Sequence, residues 1–144
     1  MILSKQQIKK AVEVGEIKIT PFNEELLKPA SYTFTLGNKI RKLKEVGFEE
    51  FEIGQEGCLL KPGEFVICHT AETLKLGENV ACFLSMKGAL AQKGLDALQC
   101  EIFCEPGSEG GFDGKLMLET SNRGPFPITL FSGTKIVKGI FFRV

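Results

Sequence analysis

The pattern of apolar and polar positions predicts a short helix at the N-terminus, followed by a strand. Ser4 and Gln7 have the spacing of a helix capping box. Apolar residues then follow at the spacing of one helix face: Ile8, Ala11 and Val12. We expect the helix to end at Gly15, because glycine readily adopts the left-handed conformation that closes helices. Residues 16–20 alternate apolar and polar side chains, which indicates a half-buried strand.

After this point the pattern predicts strands joined by turns. Residues 31–36 alternate large apolar with small polar side chains, whereas residues 39–57 are charged and favour a hairpin or a surface insertion. Further strands are predicted at 65–68, 79–84, 98–104, 114–120, 127–131 and 135–143. Residues 87–93 form the one internal stretch with helical propensity. Many short strands around one short internal helix predict a mainly β sandwich or barrel, with residues 1–144 as a single domain.

Composition and charge narrow the classes of function. The 144 residues are 43% hydrophobic, and 18 basic side chains balance 18 acidic ones. A nucleic-acid-binding protein usually has a basic excess, so we expect no nucleic-acid partner. No apolar run approaches the ~20 residues that cross a bilayer, and the first residues lack the apolar stretch of a signal peptide. The expected location is therefore the cytoplasm, without membrane contact.

The cysteines and the histidine give no indication of a metal centre. Five cysteines lie at positions 58, 68, 82, 100 and 104, and no two have the C-x-x-C spacing of a zinc or redox motif. A single histidine, His69, excludes a site with several histidine ligands. We interpret the cysteines as buried, reduced thiols and predict no metal site.

Five segments, in the same order and spacing, resemble the dCTP deaminases of the dCTP deaminase/dUTPase superfamily. The first segment, residues 1–17, begins Met-Ile-Leu-Ser and ends Gly-Glu-Ile, and the second, residues 29–37, begins Pro-Ala-Ser-Tyr and ends Leu-Gly. The third, residues 60–65, is Leu-Lys-Pro-Gly-Glu-Phe, and the fourth, residues 118–125, is Leu-Glu-Thr-Ser-Asn-Arg-Gly-Pro. The fifth, residues 133–143, begins Gly-Thr-Lys-Ile and ends Phe-Phe-Arg. The resemblance implies a distorted β-barrel or jelly-roll of the dUTPase-like type. It also implies a homotrimer with active sites shared between subunits, and zinc-free hydrolytic deamination of dCTP to dUTP. A pyrimidine deoxynucleoside triphosphate, dCTP or dUTP, would be the ligand. No intrinsic cofactor is implied, although Mg²⁺ would accompany a bound triphosphate.

The resemblance identifies Glu119 as the candidate catalytic residue. Residues 118–122 read Leu-Glu-Thr-Ser-Asn and match the strand that carries the family's catalytic glutamate. A zinc-free deaminase needs a carboxylate that takes a proton from the attacking water and passes it to the leaving amine. Leu116 and Leu118 alternate with Glu119, so we expect its side chain on the face opposite these leucines. The alternative is an exposed strand glutamate paired with a lysine.

The expected nucleotide-binding helix departs from the family pattern. The family has Arg-Ser-Ser-Leu-Ala-Arg, whereas residues 87–92 read Lys-Gly-Ala-Leu-Ala-Gln. The backbone at Gly88 and Ala89 would form a phosphate cradle, with Lys87 as a point charge and Gln92 in place of the second arginine. Lysine does not reproduce the planar fork of arginine, and both serine hydroxyls are replaced. A helix that serves packing alone is an equal alternative.

Other departures lie in the loops and strands around the site. Thr33 replaces an aspartate, Lys138 replaces a glutamine that commonly touches the nucleotide, and Glu105 keeps a carboxylate beside a loop lengthened at 107–111. Lys138 would meet a phosphate, although a solvated lysine is the alternative. Family members usually carry a further C-terminal tail over the triphosphate, so we expect a wetter site here. The missing aspartate makes dUTPase activity less favoured.

Three hypotheses follow from these positions. The first is a working zinc-free deaminase with an unusual site. The second is a non-catalytic or regulatory nucleotide-binding trimer, and the third is a structural protein without a small ligand. Because the replaced groups position the reactants, and positioning is a large part of catalysis, we expect nucleotide binding with dCTP deamination absent or very slow.

Overall fold

The computed structural model describes residues 1–99, 102–107 and 110–144. Its helices are α1 (Lys5–Glu13) and α2 (Gly88–Ala91), with a 3₁₀ turn at Glu24–Leu26. The strands are β1 (Ile17–Thr20), β2 (Leu27–Lys28), β3 (Ser31–Thr35), β4 (Lys39–Leu43), β5 (Phe48–Glu52), β6 (Cys58–Leu60), β7 (Phe65–Leu76), β8 (Val80–Met86), β9 (Leu95–Asp96), β10 (Phe103–Cys104), β11 (Asp113–Asn122), β12 (Ile128–Leu130) and β13 (Lys135–Arg143). None of the helices found in the described ranges has both the length and the apolarity to cross a bilayer.

The N-terminal helix is confirmed together with its cap. The Ser4 hydroxyl accepts a hydrogen bond from the Gln7 backbone N–H at 3.3 Å, and the Gln7 side chain accepts one from the Ser4 N–H at 2.9 Å. Ile8 and Ala11 are buried, as the apolar stripe predicts. Gly15 follows the helix with a positive φ of 82°, a conformation in which other residues are strained.

The strands form two large sheets and one small one. The six-stranded sheet has the order β5-β4-β7-β11-β9, with β1 also paired to β7, and the five-stranded sheet has the order β10-β8-β13-β3-β2. The third sheet pairs β12 with β6. Phe34 and Phe141 of the five-stranded sheet share one buried hydrophobic core with Cys68 and Leu118 of the six-stranded sheet. The mainly β, jelly-roll-like class predicted from the sequence is therefore confirmed.

A buried carboxylate joins the two large sheets. Glu72 of β7 is only 3% exposed, and its two oxygens accept hydrogen bonds from the Thr35 backbone N–H at 2.9 Å and the Thr35 hydroxyl at 2.7 Å. The neighbouring residues Leu36 and Thr70 form an isolated antiparallel bridge. These hydrogen bonds satisfy polar groups in the interior, so strand β7 can continue past its polar residues.

Several predicted boundaries are wrong. Strand β7 runs to Leu76, far beyond the predicted 65–68, because its polar residues are satisfied by tertiary contacts. The strand predicted at 98–104 is replaced by the short strands β9 and β10, and residues 100 and 101 lie outside the described ones. The hairpin predicted within residues 39–57 is confirmed as β4 and β5, which pair from Lys39 with Glu52 to Leu43 with Phe48.

Candidate functional site

The strand β11 places the Glu119 side chain on the expected face. Leu116 and Leu118 are buried on one side, whereas Lys115, Met117 and Glu119 alternate with them on the other. Strand β7 fixes this register, since Glu119 lies opposite Ile67 and Met117 opposite His69. The predicted orientation of Glu119 relative to the leucines is confirmed.

Glu119 lines a small cavity where β11 meets β8 and β10 of the other large sheet. The cavity has a volume of about 130 Å³, and its wall also includes Leu84, Phe103, Cys104, Phe112, Lys115 and Met117. The Oε2 atom of Glu119 is buried and has no hydrogen-bond partner among the described residues. A buried carboxylate oxygen without a partner is unfavourable, so Oε2 is poised to accept a hydrogen bond from a water molecule or a bound ligand.

Apart from Lys115, the rest of this wall is apolar or carries a thiol. The thiol of Cys104 lies beside that of Cys82, its direct partner across β10 and β8. The hydrogen bond with Cys104 and the burial of both groups raise the pKa of the Cys82 thiol well above its usual range. The Cys82 thiol therefore stays protonated near neutral pH and adds no negative charge behind this wall.

Glu105 lies in an adjoining cavity. This second space, of about 320 Å³, is lined by Glu105, Asp113 and Lys115 together with Phe103 and Phe112, which also line the cavity of Glu119. The backbone carbonyl of Glu105 accepts a hydrogen bond from the Phe112 N–H at 3.0 Å, which holds the two residues together across the loop. Residues 108 and 109 of that loop, within the segment predicted to be an insertion, lie outside the described residues.

Sequence reasoning did not assign Lys115 or Phe103 to this site. Lys115 has the same strand parity as Glu119, so the period-two pattern of β11 was a usable signal. Phe103 had no such signal, because its position depends on how β10 pairs with β8. Its ring lies 4.8 Å from that of Phe83, a contact between residues far apart in sequence.

The helix predicted at 87–93 is shorter than expected. Helix α2 covers Gly88–Ala91, with Lys87 as its N-cap and Gln92 as its C-cap. One turn of helix carries little of the dipole that a longer helix provides, so the expected phosphate cradle at Gly88 and Ala89 loses part of its physical basis. The backbone N–H of Lys87 donates to the Ile136 carbonyl at 3.1 Å, and both Gly88 and Ala89 are exposed.

Gln92 lines a different and larger cavity. Its volume is about 630 Å³, and its wall is mainly apolar, with Leu90, Phe126, Ile128 and Phe131 among the lining residues. The turn at the end of α2 is fixed against the end of β11, where the Arg123 N–H donates to the Gly94 carbonyl at 2.8 Å.

Asn122 organises this junction. Its Nδ2 donates to the carbonyls of Leu60 at 3.0 Å and Phe126 at 2.7 Å, while its Oδ1 accepts from the Gly124 N–H at 2.9 Å. Part of the Leu-Glu-Thr-Ser-Asn segment therefore has a structural role, and the side chain of Asn122 holds the end of β11 in place.

Lys138 lies on β13, opposite the end of β8 that leads to α2. It is half-buried, with Thr33 opposite it on β3 and Ser85 opposite it on β8. The Thr33 hydroxyl is buried and has no hydrogen-bond partner in the described part of the chain. Lys138 lines neither the cavity of Glu119 nor that of Glu105.

Within one chain, the predicted site residues thus fall into three places. Glu119 and Glu105 line adjoining cavities, Lys87 and Lys138 lie where β8 pairs with β13, and Gln92 lines the large apolar cavity. The resemblance implies sites completed by neighbouring subunits, and that arrangement stays a prediction. In the described ranges, no three His, Cys, Asp or Glu side chains are grouped as metal ligands, and the prediction of zinc-free chemistry stays untested.

Comparison with known proteins identifies the family. The family model described as "dCTP deaminase-like" matches residues 2–144. This chain belongs to the dCTP deaminase-like family.

Curated relatives of the family match the whole chain. The protein named "dCTP deaminase, dUMP-forming" from Bifidobacterium animalis subsp. lactis is 31% identical, and the match covers 100% of this chain and 80% of that protein. The protein of the same name from Corynebacterium glutamicum (strain R) is 33% identical, with coverage of 100% and 82%.

Solved structures with the same fold include both a deaminase and a dUTPase. The 2'-deoxycytidine 5'-triphosphate deaminase from Agrobacterium tumefaciens superimposes with a TM-score of 0.79 at 21% identity, covering 99% of this chain and 47% of that one. This chain therefore spans about half the length of that deaminase. The dUTPase from Streptococcus mutans has a TM-score of 0.57 at 14% identity, covering 88% of this chain and 94% of that one. At these identities the two structures establish the fold that the family members share.

Proposed function

We propose that this member of the dCTP deaminase-like family binds dCTP, a pyrimidine deoxynucleoside triphosphate, and deaminates it only very slowly. Glu119 is the general base of whatever deamination remains. The observation that carries this proposal is the buried, unpartnered Oε2 of Glu119 in a cavity flanked by Phe103 and Phe112. Relatives that are 31% and 33% identical bear the name dCTP deaminase, which makes the cytosine base the natural occupant beside this carboxylate.

The chemistry that Glu119 offers is proton transfer. Its carboxylate takes a proton from a water molecule that attacks C4 of the cytosine ring, and it passes the proton to the amine that leaves. The carbon–nitrogen bond breaks, ammonia departs, and the ring becomes uracil. The apolar wall formed by Leu84 and Met117 strengthens the interaction of Glu119 with the reacting water by excluding bulk solvent. Mg²⁺ would enter with the triphosphate rather than reside in the protein.

Slow turnover follows from the groups that would position the reactants. At the α2 end of the predicted site, Gly88 and Ala89 carry no hydroxyl and Gln92 carries no charge. A general base contributes about 10²–10⁴-fold only while water and substrate are held in place, and a displacement of ~1 Å can cost ~10²-fold.

The second candidate is a non-catalytic or regulatory nucleotide-binding trimer. It is favoured by the same replacements at Gly88, Ala89 and Gln92 in a chain that otherwise keeps the family's landmarks. A dUTPase is less favoured, because Thr33 stands where the resemblance expects an aspartate. The two main candidates differ in turnover and not in nucleotide binding.

The test is to incubate the purified protein with dCTP and Mg²⁺ and to separate the nucleotides by chromatography. The separation must resolve dCTP, dUTP and dUMP, because the curated relatives are named dUMP-forming, whereas the sequence resemblance implies dUTP. We expect calorimetry to detect binding of dCTP, and we expect turnover far below ~1 s⁻¹. The Glu119→Gln variant should form no product at all. Turnover at ~1 s⁻¹ or faster would contradict the slow-enzyme proposal, and complete absence of product with intact binding would favour the second candidate.

A further inference from the structure

A third cavity lies on the outer face of the six-stranded sheet, next to that of Glu119. It has a volume of about 250 Å³ and is lined by Lys39, Arg41, Glu50, Ile67, His69, Lys115 and Met117. We call it the basic cavity. On the three neighbouring strands β4, β7 and β11, Ile67 lies opposite both Arg41 and Glu119. One row of residues across the sheet therefore runs from the basic cavity to the candidate base, Glu119. At a strand separation of ~4.8 Å, the backbones at Arg41 and Glu119 are about 10 Å apart.

The basic cavity carries an uncompensated positive charge. Three cations, Lys39, Arg41 and Lys115, face one carboxylate, that of Glu50, which gives a formal charge of three minus one, or +2, in a chain whose net charge is zero. Lys115 takes part in no ion pair with a described residue. Concentrated positive charge in a concave space raises the local concentration of anions.

Arg41 is held in position while part of its guanidinium is unused. Its Nε donates to Glu50 Oε2 at 2.9 Å, and its Cζ lies 4.4 Å from the centre of the Phe48 ring. This bond lowers the pKa of the Glu50 carboxyl, which therefore stays ionised and continues to orient Arg41. Among the described residues the guanidinium makes this one hydrogen bond, so its terminal nitrogens are available to a ligand, and such nitrogens suit phosphate oxygens.

His69 forms a fixed wall of the basic cavity. Its Nδ1 lies 2.7 Å from the Thr70 carbonyl oxygen, and its Nε2 lies 3.3 Å from the Lys39 backbone nitrogen. A carbonyl can only accept and a backbone N–H can only donate, so the tautomer with the proton on Nδ1 satisfies both contacts. The ring thus anchors the backbone of Lys39 and holds that lysine at the rim of the cavity.

We propose that the basic cavity binds the phosphate groups of the nucleotide whose base lies beside Glu119. This inference rests on the proposed function. Lys115 and Met117 line both cavities, so the two adjoin, and the base and the phosphates of one nucleotide would lie on either side of these two side chains. The resemblance expects two arginines within residues 87–92, and this chain has none there. Strands β4 and β11 carry cations that could contact the phosphates in their place. Lys39 and Lys115 supply point charges, and Arg41 supplies directed hydrogen bonds.

The experiment compares ligands that share the base or share the phosphates. Binding of dCTP, deoxycytidine and inorganic triphosphate is measured by calorimetry for the unaltered protein and for Lys39→Gln, Lys115→Gln and the double variant. Lys18→Gln is the matched control, because Lys18 is an exposed lysine on β1 of the same sheet. Lys87→Gln tests the competing location at α2. Circular dichroism and thermal melting verify that each variant is folded.

We expect each cavity variant to bind dCTP and inorganic triphosphate about tenfold more weakly than the unaltered protein and to bind deoxycytidine with unchanged affinity. The Lys18→Gln control should have little effect on any of the three affinities. The affinity of the unaltered protein should fall as ionic strength rises. If dCTP binds the cavity variants as tightly as the unaltered protein, or if Lys87→Gln alone weakens it, the basic cavity is not the phosphate site, while the proposed function stands. If inorganic triphosphate binds in the cavity but dCTP and deoxycytidine do not bind, the anion site stands and the proposed function fails. If none of the three ligands binds, both are wrong.

Discussion

At the scale of single residues, the most informative side chain is Glu119. The alternation of β11 brings it to the cavity, and the packing of β8 and β10 covers its Oε2 without giving it a partner. A buried oxygen that lacks a hydrogen bond costs about 1–3 kcal/mol. A water molecule or a ligand that donates a hydrogen bond would remove this cost, which is why we connect Oε2 with binding.

Replacing this carboxylate should separate stability from activity. We expect Glu119→Gln to raise the free energy of unfolding by about 1 kcal/mol, because a neutral amide of nearly the same volume is less costly than a carboxylate at the buried, unpartnered position of Oε2. The same change should abolish any deamination and leave dCTP affinity within about threefold, since a glutamine cannot act as a base. Urea denaturation measures the first effect, and chromatography with calorimetry measures the others. A loss of stability instead would mean that the ionised carboxylate supports the fold.

The buried thiol of Cys68 should make stability depend on pH in the alkaline range. Burial raises the pKa of this thiol from its usual value of 9.0 to about 11. Between these values the unfolded chain loses the thiol proton while the folded chain keeps it, so stability falls as pH rises from about 9 to about 11. The shift corresponds to at most about 3 kcal/mol.

The measurement is the midpoint of urea unfolding as a function of pH, for the unaltered protein and for Cys68→Ala. The variant has no thiol to titrate at this position, so its alkaline slope should be shallower, whatever the cost of the small cavity it creates. Parallel slopes for the two proteins would show that Cys68 is not responsible.

At the scale of the elements, we expect the connection between the end of β3 and β7 to matter most for the stability of the fold. Glu72 is buried and accepts two hydrogen bonds from Thr35, which ties an edge region of one large sheet to the centre of the other. The sequence gives Glu72 no visible distinction from the other glutamates, because only the pairing of distant strands brings it to Thr35.

Removing this connection should destabilise the protein strongly. We expect Glu72→Ala to lower the free energy of unfolding by about 2 kcal/mol or more, since the Thr35 N–H and hydroxyl lose their acceptor inside the protein. Glu49→Ala is the control, because Glu49 forms an exposed ion pair with Lys44, and such pairs contribute little. Equal losses in the two variants, measured by thermal or urea unfolding, would contradict a special role for Glu72.

At the scale of the whole molecule, the predicted site residues of one chain lie in separate places, and large apolar side chains remain on the surface. Phe126 is 74% exposed and Phe131 is 46% exposed, both beside the cavity that contains Gln92. Contiguous apolar surface of this kind often marks a contact between proteins. It supports the homotrimer that the sequence resemblance implies.

The oligomer can be measured directly. We expect sedimentation velocity and light scattering at micromolar concentration to report three times the mass of one chain, because three chains would bury the apolar surface and complete the shared sites. Phe126→Glu places a charge in this surface and should weaken the trimer, whereas Phe48→Glu, on the hairpin of β4 and β5, tests whether the effect is local. A monomer at micromolar concentration would overturn the prediction.

The sequence by itself determined the elements that depend on neighbouring residues. The helix capped by Ser4, the turn at Gly15 and the face occupied by Glu119 follow from local spacing, and family landmarks identified the fold class. The charged residues 39–57 left a hairpin and a surface insertion open. Only the tertiary structure decided the length of β7, the short helix α2, the buried oxygen of Glu119 and the grouping of Lys39, Arg41 and Lys115. Each of these depends on strands that are distant in sequence and adjacent in space, and periodicity along one segment carries no information about what packs against it.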